Sequence, residues 1–175
     1  MKYIFITGIL LIALFTNCEE SENNPPHAIE TYTFYEGFKV SDQQNSVEPG
    51  NKTVLHYNYQ DPDELFALDA GIALNLLLEL PNSINESQVI DLDNSDISIL
   101  NFSFSKSCFC VPIEFASIKN INLKGYQSGR EIFINGIVEL ELNFKSGANN
   151  GEFTQGSLII ELNNTQFNEA LPDIL

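Results

Sequence analysis

The sequence predicts an all-β domain over residues 29–175, an antiparallel β-sandwich with a β-barrel as the alternative closure. Three observations carry that expectation. Apolar residues recur at every second position along most of the chain, which is the strand period. The segments so patterned are rich in β-branched and aromatic residues, with Gly, Pro, Asn and Asp between them. Little of the chain carries a helical period, so sheets packed on sheets are the natural layer architecture. One-sided alternation suits sheets with one face in the core and one in water.

The first strand is expected in IETYTFYEGF, starting at Ile29. SVEPGNK, residues 46–52, reads as a turn on its Pro-Gly-Asn content. TVLHYNYQ, residues 53–60, alternates, placing Leu55, Tyr57 and Tyr59 on one face and His56 on the other, toward solvent. DPDE then breaks the pattern, and Asp61-Pro62 can start a short helical turn over 62–68. Residues 65–80 contain good helix formers, yet Ile72, Leu74, Leu76, Leu78 and Leu80 fall on alternate positions, so 72–80 reads as a strand. QVIDLD and DISILNFSFS read as two strands around Asn94-Ser95-Asp96, and NINLKGY as a weaker one before the turn QSG. In EIFINGIVELELNFK, residues 131–145, Ile132, Ile134, Val138, Leu140, Leu142 and Phe144 share one face. Gly136 interrupts that strand and marks a bulge or bend. EFTQGSLIIELNN returns after the loop SGANNG with Leu158, Ile160 and Leu162 aligned, completing a hairpin.

The amino terminus has a different character. Lys2 is the sole charge before an apolar run that ends in Phe15-Thr16-Asn17-Cys18, and Glu19, Glu20 and Glu22 follow. The run is shorter than the roughly 20 residues of a membrane-spanning helix and fits the apolar region of a secretory signal. Residues 1–24 resemble the signal of bacterial lipoproteins of the Bacteroidota type. The resemblance implies a signal peptide over 1–17, a lipidated Cys18, and a flexible tether over 18–28. It also implies attachment to the outer membrane of a bacterial cell envelope, with the acidic residues after Cys18 matching surface export. Acyl chains contribute about 0.8 kcal/mol per buried methylene, and more than one chain holds a protein stably. Cys18 is then an anchor rather than a nucleophile. A plain signal peptide or an uncleaved anchor is the competing reading.

Charge narrows the partners. The chain carries 8 basic and 24 acidic residues, a net −16. Loss of Lys2 with the signal leaves 7 against 24, or −17. Such a surface repels phosphate backbones, so no nucleic-acid partner is expected. Anionic lipid would repel it too, so membrane attachment has to be covalent. Tryptophan is absent, which removes the commonest platform for a glycan.

Candidate sites are few. Cys108 and Cys110 flank Phe109. On a regular strand their Cα atoms would stand near the upper limit for a disulfide, about 6.8 Å. Pro112 can bend the segment, so a local disulfide and a pair of buried thiols both remain open. A soft-metal site would need a further ligand that the neighbourhood does not offer. Asp91, Asp93 and Asp96 supply hard oxygens suited to calcium. An EF-hand loop would want Gly at Asp96 and Glu at Phe102, so a solvated turn is the favoured reading. Tyr57 and Tyr59, with Tyr32 and Tyr35 nearby, offer an aromatic patch for a glycan or peptide, or else fill the edge of the core. No catalytic residue and no cofactor is assigned: His27 and His56 are the only histidines, Arg130 the only arginine, and G-x-S-x-G is absent. The expectation is a membrane-anchored envelope lipoprotein with a non-enzymatic binding or accessory domain, whose partner is an envelope protein or glycan. A carboxylate-based hydrolase and a structural subunit of an envelope assembly are the alternatives.

Overall fold

The computed structural model describes residues 28–41, 45–61, 72–82, 89–107, 113–145 and 153–171. Cys18, Cys108, Cys110 and the expected helical turn over 62–68 lie outside the described residues. The strands are β1 (Ile29–Val40), β2 (Val47–Gln60), β3 (Ala73–Glu79), β4 (Val89–Leu92), β5 (Asn101–Ser107), β6 (Ile113–Ser128), β7 (Glu131–Lys145) and β8 (Phe153–Glu169). A 3₁₀ turn, η1 (Ile97–Ile99), precedes β5.

The eight strands form one sheet in the order β4-β6-β7-β8-β1-β2-β3-β5. Neighbours are antiparallel except β1 and β8, which touch in parallel at Thr33 with Asn168 and Phe34 with Glu169. That short junction divides the sheet into a first layer (β1, β2, β3, β5) and a second layer (β4, β6, β7, β8). The end strands β4 and β5 do not pair with each other, so the sheet is sandwich-like and not closed into a barrel.

Both layers turn an apolar face inward. In the first, Phe34, Leu55, Leu78 and Phe102 are register neighbours across four strands, and Tyr32, Tyr57, Leu76 and Phe104 form the next row. In the second, Ile132, Ile134, Val138, Leu140 and Leu142 are buried along β7. Each such side chain contributes about 1.5–3 kcal/mol relative to exposure. Where the faces meet, Leu55, Leu76 and Leu78 oppose Leu123, Val138 and Ile160 around a cavity of about 20 Å³. Apolar walls give a water nothing to bond, so this space stays dry. Small-molecule sites usually occupy about 300 Å³ or more. The alternative of a closed barrel is therefore corrected: β4 and β5 do not pair, and among the described residues side chains fill the space where the two layers meet.

The far half of the β1–β2 hairpin departs from a flat ladder. Gly37 has φ +77°, and Phe38 pairs with both Pro49 and Lys52, a bulge that bends the hairpin. The residues expected as the turn SVEPGNK are this bulge, and the hairpin ladder instead closes where the Ser41 N–H donates to the Ser46 carbonyl at 3.0 Å. The bend lays Val40, Phe38 and Val47 on the outer side of the first layer, where they pack with Val54, Leu77 and Tyr35. The first layer is thus apolar on both sides over part of its area.

Strand directions fix the two ends of the domain. β1, β3, β6 and β8 start at the proximal end, where β1 begins at Ile29. The β1–β2 reversal, Pro81-Asn82, the β6–β7 turn at Gly129 and the close of β8 lie at the opposite, distal end.

Candidate functional site

At the proximal end, where β1 begins, the inner face finishes in a polar row. Glu30, Tyr59, Leu74 and Lys106 are register neighbours there. Tyr57 is only 9 % exposed; its hydroxyl donates to Glu30 Oε1 at 3.2 Å, and the Tyr32 hydroxyl donates to Glu30 Oε2. Burial, then the adjacent carboxylate, holds both phenols well above their ordinary range. The Tyr32 and Tyr57 rings lie 5.4 Å apart, and Tyr32 meets Phe167 of the second layer edge-on at 5.3 Å. Tyr59 packs against the same core. Tyr57 and Tyr59 therefore do share a face, but it is the inward one. They fill the core edge rather than form an outward aromatic patch.

His56 is on the opposite face, as its parity requires, but it does not point freely to solvent. Its Nδ1 lies 3.2 Å from Thr33 Oγ1 and 3.2 Å from the Tyr35 hydroxyl, and its Nε2 lies 2.5 Å from Asn75 Oδ1. Asn75 offers only an acceptor oxygen at that contact, so Nε2 donates and Nδ1 accepts from the hydroxyls. The ring stacks on Tyr35 at 5.8 Å. Burial pushes the imidazole below its usual value. The histidine staples β1, β2 and β3 across the outer face.

The acidic turn after β4 spends its oxygens locally. Asp93 Oδ1 accepts from the Ser95 backbone N–H at 2.7 Å and from its hydroxyl at 2.6 Å. These bonds hold the Asp93 carboxyl below the ordinary carboxylate range. Asp96 Oδ2 accepts from the Asp93 N–H at 2.9 Å, and Asn94 Oδ1 accepts from the Ile121 N–H at 2.8 Å. Asp91 stands apart, 4.0 Å from Lys124. Among the described residues no three His, Cys, Asp or Glu side chains are grouped as a metal would require. Asp93 and Asp96 build a self-bonded turn, Asn94 pins it to β6, and Asp91 lies outside it on β4.

That turn borders the site that sequence reasoning missed. A groove of about 330 Å³ opens at the distal end beside β4, between Leu80-Pro81-Asn82 on one side and Ile90, Leu92, Asp96 and Ile99 on the other. Its walls mix apolar and carboxylate groups. Val89 is 75 % exposed and Ile99 64 %. Val89 faces Tyr126 across the β4–β6 ladder, and Tyr126 stacks on Phe133 at 5.4 Å, so an apolar corner continues from the groove onto the outer face. The signal in the sequence was Val89 standing out of phase with Ile90 and Leu92, and Ile99 with Leu100, Phe102 and Phe104; the strand expected from Asp96 starts only at Asn101, and Ile99 lies in η1. That signal had no meaning until β4 was placed at the edge. A second distal hollow, near Arg130 and Leu171, is crossed by the Arg130–Glu169 ion pair at 3.3 Å. No family model, curated protein or solved structure matches the chain.

Proposed function

We propose that the chain is a lipid-anchored protein of a bacterial cell envelope whose β domain is a non-enzymatic binding or accessory module. The observation that carries this reading is the order of features at the amino terminus. An apolar run ends at Cys18, an acidic Pro-containing stretch follows, and β1 begins at Ile29. A flexible tether of about ten residues spans roughly 20 Å, which gives the distal end, with its groove and apolar corner, room to reach away from the membrane. The chain's own groups support a binding role over acid–base chemistry: Glu30 serves two tyrosines, His56 joins three strands, and Asp93 and Asp96 close a turn. Cys18→Ala tests the reading. The variant should leave the β circular-dichroism spectrum unchanged and move the protein from the detergent phase to the aqueous phase. Retention in the detergent phase with unchanged mass would refute it.

A further inference from the structure

We propose that the distal groove docks an extended, basic segment of a partner protein, which adds as a strand to the edge of β4 that no strand pairs with among the described residues. The inference rests on the binding-module reading and names the partner's chemistry. β4 ends the sheet, and among the described residues its ladder runs to β6 alone. An edge strand offers unpaired N–H and C=O groups to any extended chain laid beside it. The pleat of β4 fixes what such a chain would meet. Ile90 and Leu92 point inward toward the groove, and Val89 and Asp91 point outward. An added strand would place alternate side chains over Leu80, Leu92 and Ile99 on one face, and beside Val89 and Asp91 on the other.

Charge selects the occupant. Asp91 and Asp96 line the groove and Asp93 lies in the turn between them. Asp91 is highly exposed, and its contact to Lys124 is long, so an incoming Lys or Arg meets an accessible carboxylate. A second copy of this chain is disfavoured, because each copy carries −16 and like charges repel. An extended partner alternating basic and apolar residues satisfies both faces.

The test uses the full chain in nonionic detergent and three synthetic peptides. The first alternates Lys and Val, the second has the same sequence with every backbone nitrogen methylated, and the third alternates Glu and Val. The Lys peptide should bind and shift the amide resonances of Val89–Leu92. The methylated peptide keeps the charge but cannot pair, and should bind at least about tenfold more weakly, as should the Glu peptide. Asp91→Lys, an exposed change that leaves the fold intact, should weaken the Lys peptide to a similar extent. Equal binding of the Lys peptide and its methylated form would overturn the proposal, since attraction to net negative charge alone would explain it. Shifts confined to other strands, or no binding, would overturn it as well. Membrane release of Cys18→Ala is read separately, so failure of the groove and failure of the anchored-module reading are distinguishable.

Discussion

The two layers share one core but treat their outer faces oppositely. In β3 of the first layer, Leu76, Leu77 and Leu78 are all buried, because the bent β1–β2 hairpin covers the outer side at Leu77. In β7 of the second layer, burial falls on even positions alone from Ile132 to Leu142, apart from Asn143 just beyond. Its outer face carries charge, such as the Lys119–Glu139 pair at 2.7 Å, with exposed apolar side chains at Ile159 and at the corner beside β4. The difference shows how a strand's neighbours decide whether its sequence alternates. A strand wet on one side keeps period two, and a strand covered on both sides becomes an apolar run.

The sharpest contrast between the layers lies in two glycines with positive φ. Gly136 of β7 has φ +138°, and a Cβ there would overlap the Asn122 carbonyl of β6. Gly37 of the first layer has φ +77° and open space around it. Gly136→Ala should cost about 3 kcal/mol or more, since backbone must move. Gly37→Ala should cost about 1 kcal/mol from conformational strain alone. Urea melts of the two variants check this, and equal costs would mean that the β6–β7 approach is looser than it is drawn here.

Next in size is the buried outer face itself. Leu77→Ala should destabilise by about 2–4 kcal/mol, like a core leucine. Ile159→Ala, on the outer face of the second layer and 55 % exposed, should fall within about 0.5 kcal/mol of the parent. If both substitutions are mild, the bent hairpin does not cover the first layer and the contrast collapses.

These same contrasts explain what was legible beforehand. The β7–β8 hairpin reads directly because one face is wet and its inward residues keep even parity from Ile132 to Leu142 and from Leu158 to Leu162. The first half of β6 is opaque: register shifts between Ile113 and Phe115 and between Ile118 and Asn120 break the period-two pattern of Ile113, Ala116, Ile118 and Ile121. Pro49-Gly50 suggested a turn because bulges and turns draw on the same residues. In the candidate site, the shared face of Tyr57 and Tyr59 was readable from parity. Which face met the core was not, since that depends on the second layer. The Asp91–Asp96 turn was readable as a turn, whereas the groove beside it was not, because an edge position is a property of strand order.

The smallest expected effect concerns pH, and it belongs to the first layer. His56 is held neutral in the fold, below its ordinary value of 6.5, while the unfolded chain takes up the proton at that value. Its contribution to stability is therefore complete above a pH of about 6.5 and is lost as pH falls through the depressed folded value. The difference in stability between the parent and His56→Gln should be flat at neutral pH and shrink in mild acid. Parallel profiles would show that the Thr33–His56–Asn75 staple is open in solution.

The proposed orientation of the groove away from a membrane depends on lipidation of Cys18. Intact-mass measurement of the protein extracted from native membranes tests this most directly. The expected result is a chain starting at Cys18, heavier than its residues by a diacylglycerol thioether and an amine-linked acyl chain. A mature chain with a free Cys18 thiol, or one cleaved beyond it, would contradict the anchored module.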